Sequence, residues 1–276
     1  MPAESLRTLV FCAAGARMAT LSWLPELVQK PGFDVALAHY GADPAPAPAG
    51  VRHYIQNRDF KVPNFLQLLR EHPSALDCDF FMFIDDDIVV PAGTLVQWRD
   101  LALARQLDIS QPALTPDSKA DWPHVHHQPG LPAVDERQFV EIQCFALSRR
   151  ALQLALPYFF MVKTGAGLDL ALYRLAQRHG LQTGVVQAVQ VVHPHRPESE
   201  TVRRQFSTFG DFNAQMNRFM DFCFGTSIAF DDVVTASRVL GDTRPGTVRW
   251  VGVVRFCGAR VKRVLARFLS GRRRQG

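Results

Sequence analysis

The stretch Phe80–Val90, which reads FFMFIDDDIVV, constrains the fold of this chain more than any other. Bulky apolar residues run directly into Asp85, Asp86 and Asp87. An apolar run of this length without alternation predicts a strand covered on both faces, as in a parallel sheet packed between helices. Three adjacent carboxylates at its end repel one another unless they face solvent or a cation neutralises them. Carboxylate oxygens suit hard divalent cations such as Mg²⁺ and Mn²⁺, and ligands of open α/β sheets gather at the carboxyl ends of the strands. The expectation is a strand that carries a metal site to a phosphate-bearing substrate. The alternative is an acidic turn closing a core strand. In extended backbone Asp85 and Asp87 share one side and Asp86 takes the other.

The flanking chain alternates strand and helix, which argues for an α/β domain with a mostly parallel sheet. Strands are expected at Leu6–Ala14, Phe33–Tyr40, Val51–Ile55, Ile109–Leu114, Gln138–Leu147 and Thr183–Val192. Helices are expected at Leu21–Gln29, Lys61–Glu71, Leu95–Leu107 (with Pro91 where it could begin), Arg149–Leu156 and Leu170–His179. The Pro-rich GADPAPAPAG is a loop with an extended core. Thr115–Glu136 is a long loop with His124, His126 and His127, and a loop of that length is functional or disordered. HVHH lacks zinc-site spacing and reads as a solvated or acceptor-binding loop. From about Ser199 the chain reads as helical, so the organisation expected is a domain at 1–198 and a helical extension at 199–276.

Charge is uneven. The total is +5, yet residues 244–276 hold ten Lys/Arg and no Asp/Glu, leaving about −5 on the rest (5 − 10). The basic excess therefore belongs to the tail and does not argue for nucleic-acid binding. Within the tail, Trp250, Val254, Val261, Val264, Leu265 and Phe268 recur at helical spacing, a basic amphipathic pattern that suits an anionic membrane surface. A helix packed on the core is the other reading. Five scattered cysteines without CxxC spacing fit a reducing compartment. The expected location is the cytoplasm, with peripheral attachment at the inner face of the cytoplasmic membrane. LVFCAAGA mimics a short signal peptide but lacks a basic n-region, and it is read as the first strand.

Four further features could carry chemistry. Ala13, Ala14 and Gly15 close the first strand with small residues that let a ligand approach the backbone. TGAGLD (Thr164–Asp169) places Gly165 and Gly167 before Asp169, which is either a helix N-cap or a general base for an acceptor hydroxyl. His193-Pro194-His195-Arg196 ends the last strand: His193 is a metal-ligand candidate, and His195 and Arg196 are phosphate contacts or simply a strand cap. Glu141 sits in an apolar stretch, where it is costly unless catalytic or paired with Arg149 or Arg137. Lys61 is a weaker phosphate-contact candidate.

In this order the pieces resemble a GT-A glycosyltransferase: Asp85-Asp86-Asp87, then Gly165-Ala166-Gly167-Leu168-Asp169, then His193. The likeness is closer to the glycosyltransferase-like domain-of-unknown-function family 707. It adds Trp23, Phe33-Asp34 to Tyr40-Gly41, Ser110–Leu114 and Phe139-Val140-Glu141, and spans roughly residues 6–196. The resemblance implies a Rossmann-like sheet and Mn²⁺ or Mg²⁺ on Asp87 and His193, with Asp85 at the ribose or metal. It implies Asp169 as base, with Glu141 as a second catalytic candidate. Donor contacts would come from Ala13, Ala14, Gly15, Asp34, Lys61, Asp85, Asp86, Gly165, Gly167, His195 and Arg196. The partners implied are a UDP- or GDP-linked sugar and a glycan or lipid-linked acceptor, and an acidic base suggests inversion. Two rivals stay open. FIDDDIVV also satisfies the DxDxV pattern of haloacid-dehalogenase-like phosphatases, and a non-catalytic nucleotide- or glycan-binding homologue would show the same motifs.

Overall fold

The computed structural model describes residues 6–195 except Asp121, Arg137, Gln138 and Lys163. The expected extension at 199–276, its basic tail and Arg196 lie outside these residues. Among the described residues no helix is long and apolar enough to cross a membrane.

Seven strands form one sheet: β1 (Thr8–Ala14), β2 (Phe33–His39), β3 (His53–Gln56), β4 (Phe80–Ile84), β5 (Ile109–Leu114), β6 (Cys144–Ser148) and β7 (Thr183–Val191). The spatial order is β3-β2-β1-β4-β6-β5-β7. Every pairing is parallel except those of β6, which runs antiparallel to both β4 and β5. The helices are α1 (Leu24–Leu27), α2 (Lys61–Glu71), α3 (Ala92–Ala104), α4 (Arg149–Met161) and α5 (Leu168–His179).

Burial of both strand faces explains the uninterrupted apolar runs. In β1, Val10, Cys12 and Ala14 pack with Trp23, Leu27, Leu95 and Trp98 on one face. Leu9, Phe11 and Ala13 pack with Phe65, Leu68, Phe159 and Leu172 on the other. This period-2 partition puts α1 and α3 on one side and α2, α4 and α5 on the opposite side. The second core is aromatic: Phe83 stacks on Phe145 with centroids 4.6 Å apart and meets Phe65 edge-on at 4.8 Å, geometries that favour aromatic pairs. Cys12, Cys78 and Cys144 are buried free thiols.

Three expectations are corrected. The helix expected at Leu21–Gln29 is a 3-10 turn at Ala16–Thr20 followed by the single turn of α1. Pro25 favours a first-turn position, so the helix starts at Leu24 and not at Leu21. Conversely α4 continues past Pro157 to Met161, because Phe159 in its last turn is buried against Phe65 and Phe83. The strand expected at Gln138–Leu147 begins only at Cys144, and Glu141 lies outside it.

At the sheet's amino edge, buried His53 stands with its ring 5.4 Å from that of His72. Burial, reinforced by the positive charges of His72, Arg52 and Arg7 and opposed by Asp34, holds its imidazole below the ordinary 6.5. The folded state thus binds fewer protons here than the unfolded state, so this contribution to stability is full above about pH 6.5 and falls as pH drops through it. Denaturation midpoints at pH 7.5 and 5.0 should differ less for His53→Phe than for the parent; an equal difference would remove His53 from the acid response.

Candidate functional site

The carboxyl ends of β1, β2, β4 and β7 lie on one edge of the sheet, and antiparallel β6 begins there. Strand β4 ends at Ile84, so the three aspartates occupy a turn closed by a hydrogen bond from the Ile88 N–H to the Asp85 carbonyl, 3.1 Å. The same-side rule for extended backbone therefore does not apply to them, and each carboxylate goes to a different partner.

Asp87 faces His193, with Oδ2 and Nε2 3.6 Å apart. The approach is built by backbone: Val89 and Val192 exchange two hydrogen bonds of 2.9 and 3.1 Å, pinning the acidic turn to the end of β7. The other ring nitrogen, Nδ1, lies 2.8 Å from the Lys119 carbonyl and donates to it. That bond directs Nε2 towards the carboxylate. Burial opposes charge on both groups. Their mutual attraction prevails, holding Asp87 below and His193 above its ordinary value.

Asp85 takes a different cation. Its Oδ1 lies 2.6 Å from Lys61 Nζ at the start of α2. Burial raises its carboxyl to about 6, against the pull of Lys61. Lys61 also donates to the Ile142 carbonyl, so the expected phosphate contact is engaged with the acidic turn. Asp86 turns to the first two strands and accepts from the Tyr40 O–H at 2.7 Å and the Gly15 N–H at 3.2 Å. Burial and Asp86 push the Tyr40 phenol far above its ordinary value, so it stays a donor. The small-residue turn Ala13-Ala14-Gly15 is thereby tied to the acidic turn. A side chain at Gly15 would place its Cβ 2.6 Å from the Tyr40 ring. Gly15→Val should cost about 1–3 kcal/mol through overpacking, read as a lower denaturation midpoint; unchanged stability would show that the ring moves freely.

The segment Glu141–Gln143 connects these groups to the rest of the edge. The Gln143 carbonyl accepts from the Asp85 N–H at 3.0 Å. Ile142 holds Lys61 through its carbonyl, and its Cδ1 lies 3.3 Å from where a Cβ on Gly165 would stand. Glu141, 3% exposed, accepts from the Trp122 N–H at 2.7 Å. Of its two expected partners, Arg149 bonds Asp79 at 3.0 Å instead and Arg137 lies outside the described residues. Glu141 thus anchors the 115–136 loop, whose Trp122, His124 and Val125 are buried. That burial corrects the expectation of a solvated histidine loop: His124 packs beside Trp122 and Phe139.

Gly165 and Gly167 have φ of +84°, a left-handed backbone that glycine adopts without strain. Gly167 is the N-cap of α5, so Asp169 sits in the first helical turn and is not the cap. Its Oδ1 accepts from the Leu170 N–H at 2.9 Å. Two expected contacts stand apart. Asp34 is the second residue of β2, at the opposite edge of the sheet, where it pairs with Arg7 and, at 3.1 Å, with Arg52. That position corrects its reading as a donor contact. His195 is exposed beyond β7.

No protein-family model and no curated protein sequence matches the chain. Solved structures do. The chain is similar to GalNAc-T7, crystallised with UDP, GalNAc and Mn²⁺, at TM-score 0.55 and 10% identity, over 91% of this chain and 54% of that one. It is similar to S. aureus TarS at TM-score 0.52 and 11% identity, over 85% of this chain and 43% of that one. Both are GT-A glycosyltransferases. The fold is GT-A. The chain spans about half the length of these neighbours.

In a GT-A frame, the aspartate turn, the β1 turn, His193 and the glycine loop all belong to the sheet's carboxyl edge. Sequence reasoning missed Tyr40 as the partner of Asp86, and missed Lys119, whose carbonyl orients His193. It also missed Arg17, whose charge opposes the burial that raises Asp86 and adds to the pull of His193 on Asp87. Arg17 left a signal as a cation just past the small-residue turn, and Tyr40 as the end of the Phe33-Asp34 to Tyr40-Gly41 motif.

Proposed function

We propose that the chain is a divalent-metal-dependent glycosyltransferase that moves a sugar from a UDP- or GDP-linked donor to a hydroxyl of a glycan or lipid-linked acceptor. The observation that carries this reading is the convergence of Asp87 and His193 at the carboxyl edge of a GT-A sheet. The donor set fits a hard cation. An imidazole whose Nδ1 is committed to a carbonyl turns Nε2 towards a carboxylate, the second-shell arrangement of metal-binding histidines. A Mg²⁺ or Mn²⁺ held by Asp87 and His193 would complete its shell with water and substrate phosphates. The cation's contribution is charge stabilisation on the departing nucleoside diphosphate.

The chain's own groups do the rest. The turn Ala13–Gly15 is buried beneath the Tyr40 ring and tied to the acidic turn through Asp86, so it fixes the position of the aspartates. Gly165 and Gly167 shape the loop that presents Asp169 as the base for the acceptor hydroxyl, in a buried setting at a helix start. Glu141 holds the loop around Trp122 through the Trp122 N–H. Release of UDP or GDP from a panel of nucleotide sugars, with Mn²⁺ against a chelator, tests the reading. Metal-dependent release from at least one donor is expected; release of inorganic phosphate from a generic phosphoester instead would favour the phosphatase rival.

A further inference from the structure

Lys61 meets Asp85 where a cation of the site would otherwise stand. Its side chain is 13% exposed, and its ammonium contacts Asp85 Oδ1 at 2.6 Å and the Ile142 carbonyl. It also lies 5.7 Å from the centroid of Phe145. Two of its three donors are thus spent, and a cation–π contact covers part of the rest. Asp85 is fixed at its backbone too, through its N–H to the Gln143 carbonyl. A dication approaching Asp85 would have to displace this ammonium or sit beside it against like-charge repulsion. Asp86 is likewise taken, by Tyr40 and Gly15. What faces the cation is one carboxylate and one imidazole, Asp87 and His193.

We propose that Lys61 is a built-in counter-ion that keeps Asp85 out of the metal's coordination, so that tight metal binding waits for the diphosphate of the donor. The inference rests on the metal-dependent transferase reading. Its physical content is charge: the Lys61–Asp85 pair is neutral as a unit, and the remaining two ligands carry a single negative charge. Such a site binds a hard dication weakly until phosphate oxygens join the shell. The coupling is reciprocal, so the metal tightens the nucleotide by the same factor.

The decisive variant is the double one, Lys61→Met with Asp85→Asn. It removes the pair without changing the charge of the site, and neutral replacement of a buried ion pair is commonly tolerated by the fold. Free Mn²⁺ is measured by electron paramagnetic resonance against the full chain, with and without UDP or GDP. The parent should bind Mn²⁺ at least about tenfold tighter with nucleotide than alone. The double variant should stay within about threefold of the parent, while Lys61→Met alone should bind Mn²⁺ without nucleotide at least about tenfold tighter, on the scale of ligand-shell changes. A loss of more than about tenfold in the double variant would make Asp85 a ligand and overturn the inference, as would parent affinity independent of nucleotide. A parent that binds no Mn²⁺ under any of these conditions removes the metal reading itself, and the inference with it.

Discussion

Asp87→Asn should lower Mn²⁺-dependent sugar transfer at least about 100-fold, the scale of losing a metal ligand, while leaving the chain folded. The substitution keeps the shape of the side chain and removes the charge that His193 Nε2 faces at 3.6 Å. The turn itself does not depend on that charge. It is closed by backbone, from Ile88 to Asp85, and tied to β7 by the two Val89–Val192 bonds. Loss of activity should therefore come with loss of Mn²⁺ binding and with an unchanged far-UV spectrum. Initial rates of nucleoside diphosphate release would check it, and a variant retaining more than a tenth of the parent rate would take Asp87 out of the metal site.

Asp169→Asn should reduce kcat by about 10²–10⁴-fold, the usual worth of a general base, with little change in donor KM. Asp169 is 6% exposed in the first turn of α5, and Oδ1 accepts from the Leu170 N–H. Asparagine retains that acceptor, so the helix start survives and a thermal melt should move little. The kcat-against-KM split separates base loss from a structural effect. A variant with the parent's kcat would leave the acceptor hydroxyl without a base at this position and favour the non-catalytic homologue.

Much of the fold was legible because buried strands and amphipathic helices write themselves as simple patterns. Lys61–Glu71 and Ile109–Leu114 coincide with the helix and strand expected, and Phe33–Tyr40 overshoots β2 by one residue. The antiparallel sense of β6 was not legible, since an apolar run carries no direction. The acidic strand end was recognisable as a candidate site by its charge, and His193 as a candidate by its place after the last strand. The division of labour among the aspartates was not. It depends on Tyr40, Lys61 and His193, brought together by strand order, and on Asp85–Ile88 forming a turn where alternation was assumed. Glu141 was misplaced for a related reason: Phe139 and Val140 are apolar and buried without being in a strand. Asp34 illustrates the converse, an aspartate in a matching motif whose strand position puts it at the wrong edge.

The central claim is that Asp87 and His193 present a cation to a nucleoside diphosphate on this GT-A edge. Thermal denaturation of the parent and of Asp87→Asn, with UDP or GDP and with or without Mn²⁺, tests it most directly. At saturating nucleotide the parent should gain about 5 °C or more only when Mn²⁺ is present, as ligand linkage requires for a domain of this size, and Asp87→Asn should gain none of it. Equal stabilisation of the two proteins, or none of the parent by either nucleotide with Mn²⁺, would contradict the account.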